Sequence, residues 1–344
     1  MGKKSKVTSI DVARHAGVSQ SAVSRAFSRT PTQSGVSPET KKRILKAANE
    51  LGYRPNAIAR SLITQRSGII ALLFSYLDNQ FYAIALEKLC LELQEQGFRA
   101  LVFMMPSTDQ GVEETVTQLL EYQVDGIITA SVELSSNLVD ICVSQDIPVV
   151  MFNRSQDYEG IASVTTDNVA GGRLAARHLL ETGHKRIALL AGWEPSSTSR
   201  DRCFGFEAEL RDNGSEVYAH EVGHFDLEKT RAATYKLFNR PKGERPDAVF
   251  VANDYMAIEA LSVLRNELDV SVPDETSLIG FDDVPIAALP EFSLTTLRQP
   301  INNMVRNSVR LINELVQDHS GSIENIALAP KLIERGTVCS KGRA

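Results

Sequence analysis

Polar side chains follow two apolar stretches of this 344-residue sequence. Asn253 and Asp254 come directly after VFVA, and Asp282 and Asp283 come directly after LIGF. Both stretches have the length and unbroken apolar character of strands buried on both faces of a parallel sheet. The carboxyl ends of such strands meet at one edge of the sheet, where ligands bind in open α/β folds. These carboxylate and amide groups therefore predict a site that recognises the polar groups of a small ligand.

A second chemistry is indicated near the amino terminus by VARHAGVSQSAVSRAF, residues 12–27. Gly17 can adopt the positive φ that ends one short helix, and Ser19 is placed to cap the next. Two short helices around a tight turn form a helix-turn-helix, whose second helix reads base edges in the major groove. Gln20, Ser21 and Arg25 are the candidates for base contacts. An ordinary helical hairpin with exposed polar residues would leave the same pattern.

The segment HEVGH at residues 220–224 invites an enzymatic interpretation, because H-E-x-x-H on a helix binds zinc in metalloproteases. The preceding SEVYA is typical of a strand, and Gly223 disfavours a helix. On a strand, His220 and His224 would lie roughly 13 Å apart, too far for two ligands that each lie about 2 Å from zinc. We therefore expect neither a zinc enzyme built on His220, Glu221 and His224 nor any cofactor. The common hydrolase and nucleotide-binding fingerprints are absent from the sequence as well.

Charge is distributed unevenly along the chain. Residues 1–66 contain 13 Lys and Arg against three acidic residues, a net charge of +10, whereas the other 278 residues carry −16. A basic head before an acidic body is typical of a small module that binds a polyanion and a large domain that does not. A solvated Lys-rich terminus would produce the same imbalance.

Composition excludes several other classes of protein. Apolar residues make up 43% of the sequence, which is ordinary for a globular protein. No stretch reaches the roughly 18 apolar residues that predict a membrane span, and no long apolar run follows the KKSK start. The four cysteines are scattered without a C-x-x-C pair, which favours reduced thiols over disulfides or zinc ligands. We expect a cytoplasmic protein with no membrane partner.

Helix caps and apolar spacing predict the elements of the head. Thr8 or Ser9 can cap a first helix whose apolar face comprises Ile10, Val12 and Ala13. In VSPETKKRILKAANELGYRPN, Ser37 can cap and Gly52 can end a third helix with the apolar stripe Ile44, Leu45, Ala48 and Leu51. The following AIARSLI, which Asn56 can cap, is too short to be helical alone in water.

In the body, apolar runs of strand length alternate with helical patterns. The runs are GIIALLF, RALVFMM, VDGIITAS, IPVVMF, RIALLAG, DAVFVAND and SLIGFDD. The helical patterns between them include ALEKLCLELQEQG, VEETVTQLLEY and GGRLAARHLLETG. Repeated strand–helix units predict two doubly wound α/β lobes with parallel strands buried on both faces and ligand sites at the carboxyl ends of the strands.

Three linked motifs, VARHAGVSQSAVSR, VSPETKKRI and ELGYRPNAIARSL, resemble in this order those of the lactose-repressor/galactose-repressor family of transcription regulators. The resemblance covers nearly the whole chain and implies a helix-turn-helix head, a hinge helix and a two-lobed, periplasmic-binding-protein-like core. It implies major-groove contacts by Gln20, Ser21, Ser24 and Arg25. It also implies a hinge helix that forms on the operator and inserts Leu62 into the minor groove as a wedge. Asn56, Ala59 and Arg60 belong to the same hinge segment.

Two features depart from the family pattern. Ala22 stands where the family usually has Thr, which removes a possible phosphate contact. The loop SRTPTQSG between Phe27 and Val36 is longer than usual. Both departures put the operator sequence in doubt and leave the fold prediction unchanged.

The resemblance further implies an effector site between the lobes. Positions matching Arg202, Asn253 and Asp282 would hold the polar groups of the effector, and an arginine with a carboxylate can bind vicinal hydroxyls. Aromatic rings matching Phe81, Tyr82 and Phe225 would flank it. Further candidates are Thr198, Arg200, Asn153 and Asp167. Alternatively, Asp282 would cap a following helix, and Arg202 would pair with Asp201 or a surface acid.

Together these inferences predict a DNA-binding domain at 1–54, a hinge at 55–66 and an effector-binding core at 67–344. The first lobe would comprise about 67–166 and 300–326, and the second about 167–297 and 327–344. The resemblance implies a homodimeric repressor of a pseudo-palindromic double-stranded DNA operator, and the ending IERGTVCSKGRA, without leucine heptads, favours a dimer. The effector would be a sugar or sugar derivative, or alternatively a nucleobase or other metabolite. Inducer and corepressor roles both stay open.

Overall fold

The computed structural model describes residues 7–27, 35–54, 66–105, 109–131, 136–156, 160–318 and 323–341. The chain divides into two compact units, residues 1–68 and 69–344, which we call the head and the core. Within the described ranges, no helix has both the length and the apolar character required to span a membrane.

The described part of the head contains three helices: α1 (Ser9–Ala16), α2 (Gln20–Ala26) and α3 (Pro38–Leu51). Thr8, Ser19 and Ser37 cap them, each by accepting a hydrogen bond from a backbone N–H in the first turn. Gly17 and Gly52 end α1 and α3 with φ values of 63° and 66°, the left-handed conformation that glycine adopts without strain. The predicted helix-turn-helix is confirmed.

The buried apolar cluster of the head differs from the prediction at two positions. Its buried members are Val12, Ala13, Ala16, Val23, Ala26, Ile44, Ala47 and Ala48. Ile10 and Leu45, which we expected in this buried cluster, are 52% and 43% exposed. With about 3.6 residues per turn, each lies roughly 110° around its helix from the centre of the buried stripe. Ala16 and Ala47 occupy the inward positions instead.

The core alternates strands and helices along the chain. In order they are β1 (Ile69–Phe74), α4 (Gln80–Glu95), β2 (Arg99–Met104), α5 (Asp109–Glu121), β3 (Gly126–Ala130), α6 (Ser136–Ser144), β4 (Val149–Phe152), β5 (Ala162–Thr166), α7 (Asn168–Glu181), β6 (Ile187–Ala191), α8 (Ser197–Asp212), β7 (Ala219–Val222), α9 (Leu227–Phe238), β8 (Ala248–Val251), α10 (Asp254–Asn266), β9 (Ser277–Asp282), β10 (Thr295–Arg298), α11 (Ile301–Gln317), β11 (Asn325–Leu328) and β12 (Lys331–Ile333).

These strands form two six-stranded sheets, one in each lobe. The first has the order β11-β5-β4-β3-β1-β2 and is parallel throughout. The second has the order β12-β10-β9-β8-β6-β7 and is parallel except for β12. The chain crosses between the lobes after β5, after β10 and after β11, because α11 packs on the first sheet. The predicted two-lobed, doubly wound core is confirmed.

Strand β2 departs from the predicted burial on both faces. It lies at the edge of the first sheet, and among the described strands it pairs with β1 alone. Val102 and Met104 on this strand are 41% and 49% exposed. An unbroken apolar run predicts a strand but does not distinguish a central position from an edge position.

The strand order places a switch point in each sheet. Strand β1 lies between β2 and β3, and β6 lies between β7 and β8. The next two strands along the chain therefore lie on opposite sides of β1 and of β6. A crevice forms outside the carboxyl ends of the strands at such a point, and ligands of doubly wound folds bind there. The segments after β1, β6, β8 and β9 therefore approach the same region of the core.

Two glycines allow α7 and α8 to pack at close range. A Cβ on Gly172 would lie 2.0 Å from the carbonyl oxygen of Arg202, and one on Gly205 would lie 2.1 Å from that of Val169. The atom that each added Cβ would meet belongs to the backbone of the other helix, so the clash could be relieved only by moving a helix. The close packing fixes the position from which Arg202 extends.

We expect Gly172→Ala to lower the free energy of unfolding by about 1–3 kcal/mol, because the added methyl overpacks the contact between α7 and α8. Gly243→Ala is the matched control, since its Cβ would meet no atom within 4 Å. The control should change the free energy of unfolding by less than about 0.5 kcal/mol. Urea unfolding measures both variants, and equal stabilities would contradict the close packing.

Candidate effector site and nucleic-acid interface

A cavity lies between the two lobes at the carboxyl ends of their strands. Among the ten candidates named from the sequence, seven that line it are Phe81, Tyr82, Thr198, Arg202, Phe225, Asn253 and Asp282. Asn153, a further candidate, lines it too, together with Tyr76 and Asn79. The structure thus brings together residues that are far apart in the sequence and come from both lobes.

Local structure positions the polar members of this set. Asn253 caps α10 by accepting a hydrogen bond from the Met256 N–H at 3.0 Å. Asp282 ends β9 with a φ of 126°, a conformation that few non-glycine residues adopt. Such backbone outliers cluster at functional sites, where the surrounding structure holds them.

Arg202 and Asp282 form a buried ion pair at the floor of the cavity. Nη2 of Arg202 lies 3.6 Å from Oδ1 of Asp282, and each side chain is 3% exposed. Oδ1 also accepts a hydrogen bond from Gln299 Nε2 at 2.7 Å, and Oδ2 accepts one from Asn79 Nδ2 at 3.3 Å. The alternative in which Asp282 caps a helix and Arg202 pairs with a surface acid is therefore wrong.

Three further contacts hold the guanidinium of Arg202. Nε donates to Asn168 Oδ1 at 2.9 Å, and Nη1 donates to the carbonyl oxygen of Ala252 at 2.6 Å. The guanidinium also lies 3.6 Å from the ring centroid of Phe281. Burial lowers the pKa of Arg202, and the charge of Asp282 opposes that shift. Burial raises the pKa of Asp282, and Arg202 opposes that shift in turn.

Arg200 is not brought to the cavity. Its side chain is 63% exposed, and its Nε pairs with Asp201 Oδ1 at 3.0 Å. Thr198 and Arg202 are four residues apart on α8 and share a face, whereas Arg200 lies roughly 200° around the helix from Thr198. Asp167 caps α7 by accepting from the Ala170 N–H at 2.9 Å, which gives it a structural role.

Asn153 presents an acceptor to the cavity. The residue is 3% exposed and has a φ of 69°. Its Nδ2 donates to the Tyr82 hydroxyl at 3.1 Å, while its Oδ1 has no hydrogen-bond partner among the described residues. Because a buried acceptor without a donor costs free energy, this oxygen suits a hydroxyl or N–H of a bound ligand.

The lobes lie close together around this cavity. Its volume is about 10 Å³, which holds about one water molecule. The backbone N–H of Ser155 donates to Ser197 Oγ at 3.1 Å across the cleft. The guanidinium of Arg154 also lies 5.9 Å from the ring centroid of Trp193. A sugar-sized ligand requires the lobes or the aromatic side chains to move apart.

Phe225 lines the cavity and packs against Gly192. It has a φ of 58°, and its ring would lie 2.2 Å from a Cβ built on Gly192. Only glycine at position 192 leaves room for the ring in this position. The sequence pattern did not fix this placement, because Phe225 follows the short strand β7 in a turn.

Sequence reasoning missed Tyr76 and Asn79. Both follow β1, and Asn79 also caps α4 by accepting from the Phe81 N–H at 2.9 Å. Burial raises the pKa of the Tyr76 phenol, so it acts as a neutral hydrogen-bonding group. The rule that ligand contacts follow strand carboxyl ends would have found both residues, had it been applied to β1 as it was to β8 and β9.

A second buried carboxyl lies behind Asp282. Asp254 Oδ1 accepts from Thr296 Oγ1 at 2.6 Å, and Oδ2 accepts from the Val284 N–H at 3.0 Å. Burial, followed by the negative charge of Asp282, raises the pKa of Asp254 to about 7. This group changes charge near neutral pH, next to the anchors of the cavity.

We expect Asp254→Asn to become more stable relative to the unaltered protein as the pH rises from about 5 to about 8. The carboxyl has its ordinary pKa of 3.8 when unfolded, so between that value and about 7 the folded state holds the extra proton and the free energy of unfolding falls as pH rises. Asparagine does not titrate. His184 titrates in both proteins and cancels in the difference. Melting temperatures across this range measure the effect, and a constant difference would contradict the raised pKa.

The first three residues of HEVGH lie on a strand, and Gly223 and His224 follow it. His220 and Glu221 belong to β7, which pairs in parallel with β6. Glu221 Oε2 lies 3.2 Å from Lys236 Nζ, and His224 follows the strand with a φ of 56°. Throughout the described ranges, no group of three or more His, Cys, Asp or Glu is arranged to hold a metal ion.

The DNA-binding candidates of α2 lie on one exposed face. Gln20, Ser21, Ser24 and Arg25 are exposed, whereas Val23 and Ala26 are buried. The four exposed residues span an arc of roughly 140°. Arg25 Nε donates to the carbonyl oxygen of Ser21 at 3.3 Å, and Gln20 Nε2 donates to Ser9 Oγ at 3.1 Å. The remaining candidates, Asn56, Ala59, Arg60 and Leu62, lie outside the described residues, as does most of the long loop after Phe27.

Comparison with known proteins decides the family. Residues 9–56 match the family described as "Bacterial regulatory proteins, lacI family", and residues 176–338 match "Periplasmic binding protein-like domain". The HTH-type transcriptional regulator DegA of Bacillus subtilis (strain 168) is 30% identical over 96% of this chain and 97% of its own length. The chain belongs to the lacI family of bacterial regulatory proteins. It is a DNA-binding transcriptional regulator, and the prediction that it is not an enzyme is confirmed by this membership.

Solved structures agree with the membership. The lac repressor dimer bound to operator and the anti-inducer ONPF is 28% identical, with a TM-score of 0.83 over 97% of this chain and 99% of that one. A complex of the transcriptional regulator CelR with cellobiose is 29% identical, with a TM-score of 0.72 over 96% of this chain and 100% of that one. The lacI-family fold therefore extends over head and core alike.

Proposed function

We propose that this lacI-family regulator is a homodimeric repressor that binds a pseudo-palindromic operator in the cytoplasm. The observation that carries the proposal is the exposed polar face of α2 in a segment with a net charge of +10. Such a face can form hydrogen bonds with base edges, while the surrounding lysines and arginines attract phosphates. The operator-bound lac repressor dimer, similar over nearly the whole chain, supports the dimer and the repressor role. Residues 55–66 would supply the hinge helix and the Leu62 wedge.

We infer that the effector is a small polar molecule bound between the lobes, and that a sugar or sugar derivative best matches the residues that line the cavity, once the lobes or the aromatic side chains have moved apart. The Arg202–Asp282 pair and the free acceptor of Asn153 suit vicinal hydroxyls. Aromatic rings beside polar anchors suit the apolar faces of a sugar ring. The similarity to the CelR–cellobiose complex supports this class.

A nucleobase is the second candidate. Four aromatic residues line the cavity, and Phe81 and Tyr82 already pack with a centroid separation of 5.4 Å. A planar base could stack on such rings. The carboxylate of Asp282 and the amide of Asn153 could bind the N–H groups of a base as readily as hydroxyls.

A thermal-shift screen of the full chain against sugars, sugar derivatives, nucleobases and nucleosides distinguishes the two classes. A ligand that binds only the folded state raises its stability by about 2.7 kcal/mol at a concentration of 100 times its dissociation constant. We expect a stabilising sugar whose effect disappears in Phe225→Ala. Stabilisation by bases alone would reassign the effector class, and stabilisation that persists in Phe225→Ala would place the ligand elsewhere.

Replacing Arg25 by alanine should weaken binding to the selected operator by about 1–3 kcal/mol and relax the preference at one base pair of each half-site. The operator would first be obtained by selecting bound duplexes from a random library with the unaltered protein. Repeating the selection with the variant then reports the preference at every position.

Lys46→Ala serves as the control, because Lys46 is an exposed cation on α3 that pairs with Glu50 at 3.9 Å. Its loss removes the same charge without touching α2, so the selected sequence should stay the same. If Arg25→Ala and Lys46→Ala reduce affinity equally on operator and random DNA, Arg25 binds phosphate and does not read a base.

A further inference from the structure

Two contacts join the lobes beside the effector cavity. The guanidinium of Arg154, which follows β4 in the first lobe, lies 5.9 Å from the ring centroid of Trp193, which follows β6 in the second. The backbone N–H of Ser155 donates to Ser197 Oγ at 3.1 Å. Both contacts connect the same two segments of the chain. We call the four residues Arg154, Ser155, Trp193 and Ser197 the clasp.

The polar groups of the clasp are shielded from water. Arg154 is 6% exposed, Ser197 is buried as well, and Trp193 is half-buried. A guanidinium is attracted more strongly to a tryptophan ring when it is desolvated. Breaking a buried hydrogen bond is costly when no other partner replaces the lost one. The two contacts therefore resist separation of the lobes together.

Each segment of the clasp continues into the wall of the cavity. Asn153 precedes Arg154, Thr198 follows Ser197, and both neighbours line the cavity. The charge of Arg154 also opposes the rise in the pKa of Tyr76, a third lining residue. Lobe separation that enlarges the cavity beyond its volume of about 10 Å³ moves Asn153 away from Thr198. The adjacent clasp residues move with them, so the clasp opens in the same motion.

We propose that the clasp is a gate, which holds the lobes together and must open before an effector enters the cavity. The role in effector entry rests on the proposed effector site, whereas the opening of the clasp does not. When a ligand binds only the open arrangement, its apparent affinity is reduced by the fraction of molecules that are open. Weakening the clasp therefore raises this fraction and tightens effector binding from outside the cavity.

Cysteine labelling of the full chain measures rare opening of the clasp without an effector. Thr198→Cys places a thiol of nearly the same size at the wall of the cavity, where residue 198 is buried while the lobes are together. Iodoacetamide reacts with this thiol in the open molecules, so the labelling rate is proportional to the open fraction. Tandem mass spectrometry at residue 198 separates this reaction from that of the four native cysteines.

Weakening either contact of the clasp should accelerate the labelling of Thr198→Cys. We expect an increase of about three- to tenfold when Ser197→Ala is added and of about 5- to 30-fold when Arg154→Met is added. Arg200→Met and Ser144→Ala are the matched controls, because the side chains of Arg200 and Ser144 bond within a single lobe. Each control should change the rate by less than about twofold.

Urea distinguishes opening of the clasp from unfolding of the chain. Opening exposes little surface, so the labelling rate of Thr198→Cys should change by less than about twofold between 0 and about 1 M urea. A rise of more than about tenfold over this range would show that the thiol reacts through unfolding. That result, or equal labelling rates with Arg154→Met and Arg200→Met, would overturn the proposal. Neither outcome depends on whether the effector screen succeeds.

Discussion

Raising the salt concentration from about 50 to about 200 mM should weaken operator binding by roughly 10³- to 10⁵-fold, if the dimer neutralises six to ten phosphates. Each chain brings a net charge of +10 in residues 1–66, and neutralised phosphates release their condensed counterions. Fluorescence anisotropy with a labelled operator at several salt concentrations gives the slope of log affinity against log salt. Effector binding to the same preparation is the internal control, because its anchors are buried and weakly screened. A change in operator affinity of less than tenfold would refute the phosphate-binding role of the basic head.

Replacing Arg202 by methionine should lower the free energy of unfolding by about 3–5 kcal/mol, because Asp282 is left as an unpaired buried charge. The variant should also lose effector binding, since one of the two charged anchors of the cavity is gone. Urea unfolding and the thermal shift with the screened effector measure the two effects.

Arg200→Met is the matched control on the same helix. Its guanidinium is 63% exposed and pairs with Asp201, and exposed ion pairs contribute about 0–1 kcal/mol. Both variants remove one arginine from α8 and introduce the same side chain. Similar losses of stability in the two variants would contradict the prediction that the buried Arg202–Asp282 pair stabilises the fold more than the exposed Arg200–Asp201 pair does.

The sequence was sufficient where local chemistry determines the structure. Caps at Thr8, Ser19 and Ser37 and helix-ending glycines at Gly17 and Gly52 are decided within a few residues. Four of them were predicted, and Thr8 was one of two alternatives, with Ser9, for the first cap. The alternating apolar runs predicted both sheets because parallel strands must be covered on both faces. The polar residues after β8 and β9 indicated the cavity because the carboxyl ends of parallel strands meet at one edge of the sheet, where ligands bind.

The sequence was insufficient where the outcome depends on position in three dimensions. Ile10 and Leu45 are apolar but point away from the core of the head, and a one-residue difference in helix phase decides this. Arg200 and Arg202 differ by two residues, which turns one to solvent and the other into the cavity. The small volume of the effector cavity depends on how closely the lobes approach, which no local pattern encodes.

The most direct measurement is operator affinity with and without the screened effector, in the unaltered protein and in Asp282→Ala. Regulation requires the effector to bind one arrangement of the lobes more tightly than another, so removing its anchor removes the bias. We expect the effector to change operator affinity about 5- to 150-fold in the unaltered protein, in either direction, and to have no effect in Asp282→Ala. Asp201→Ala, which removes a carboxylate from the surface pair with Arg200, should retain the full response. An undiminished response in Asp282→Ala would contradict the assignment of the cleft as the site through which a small molecule controls DNA binding.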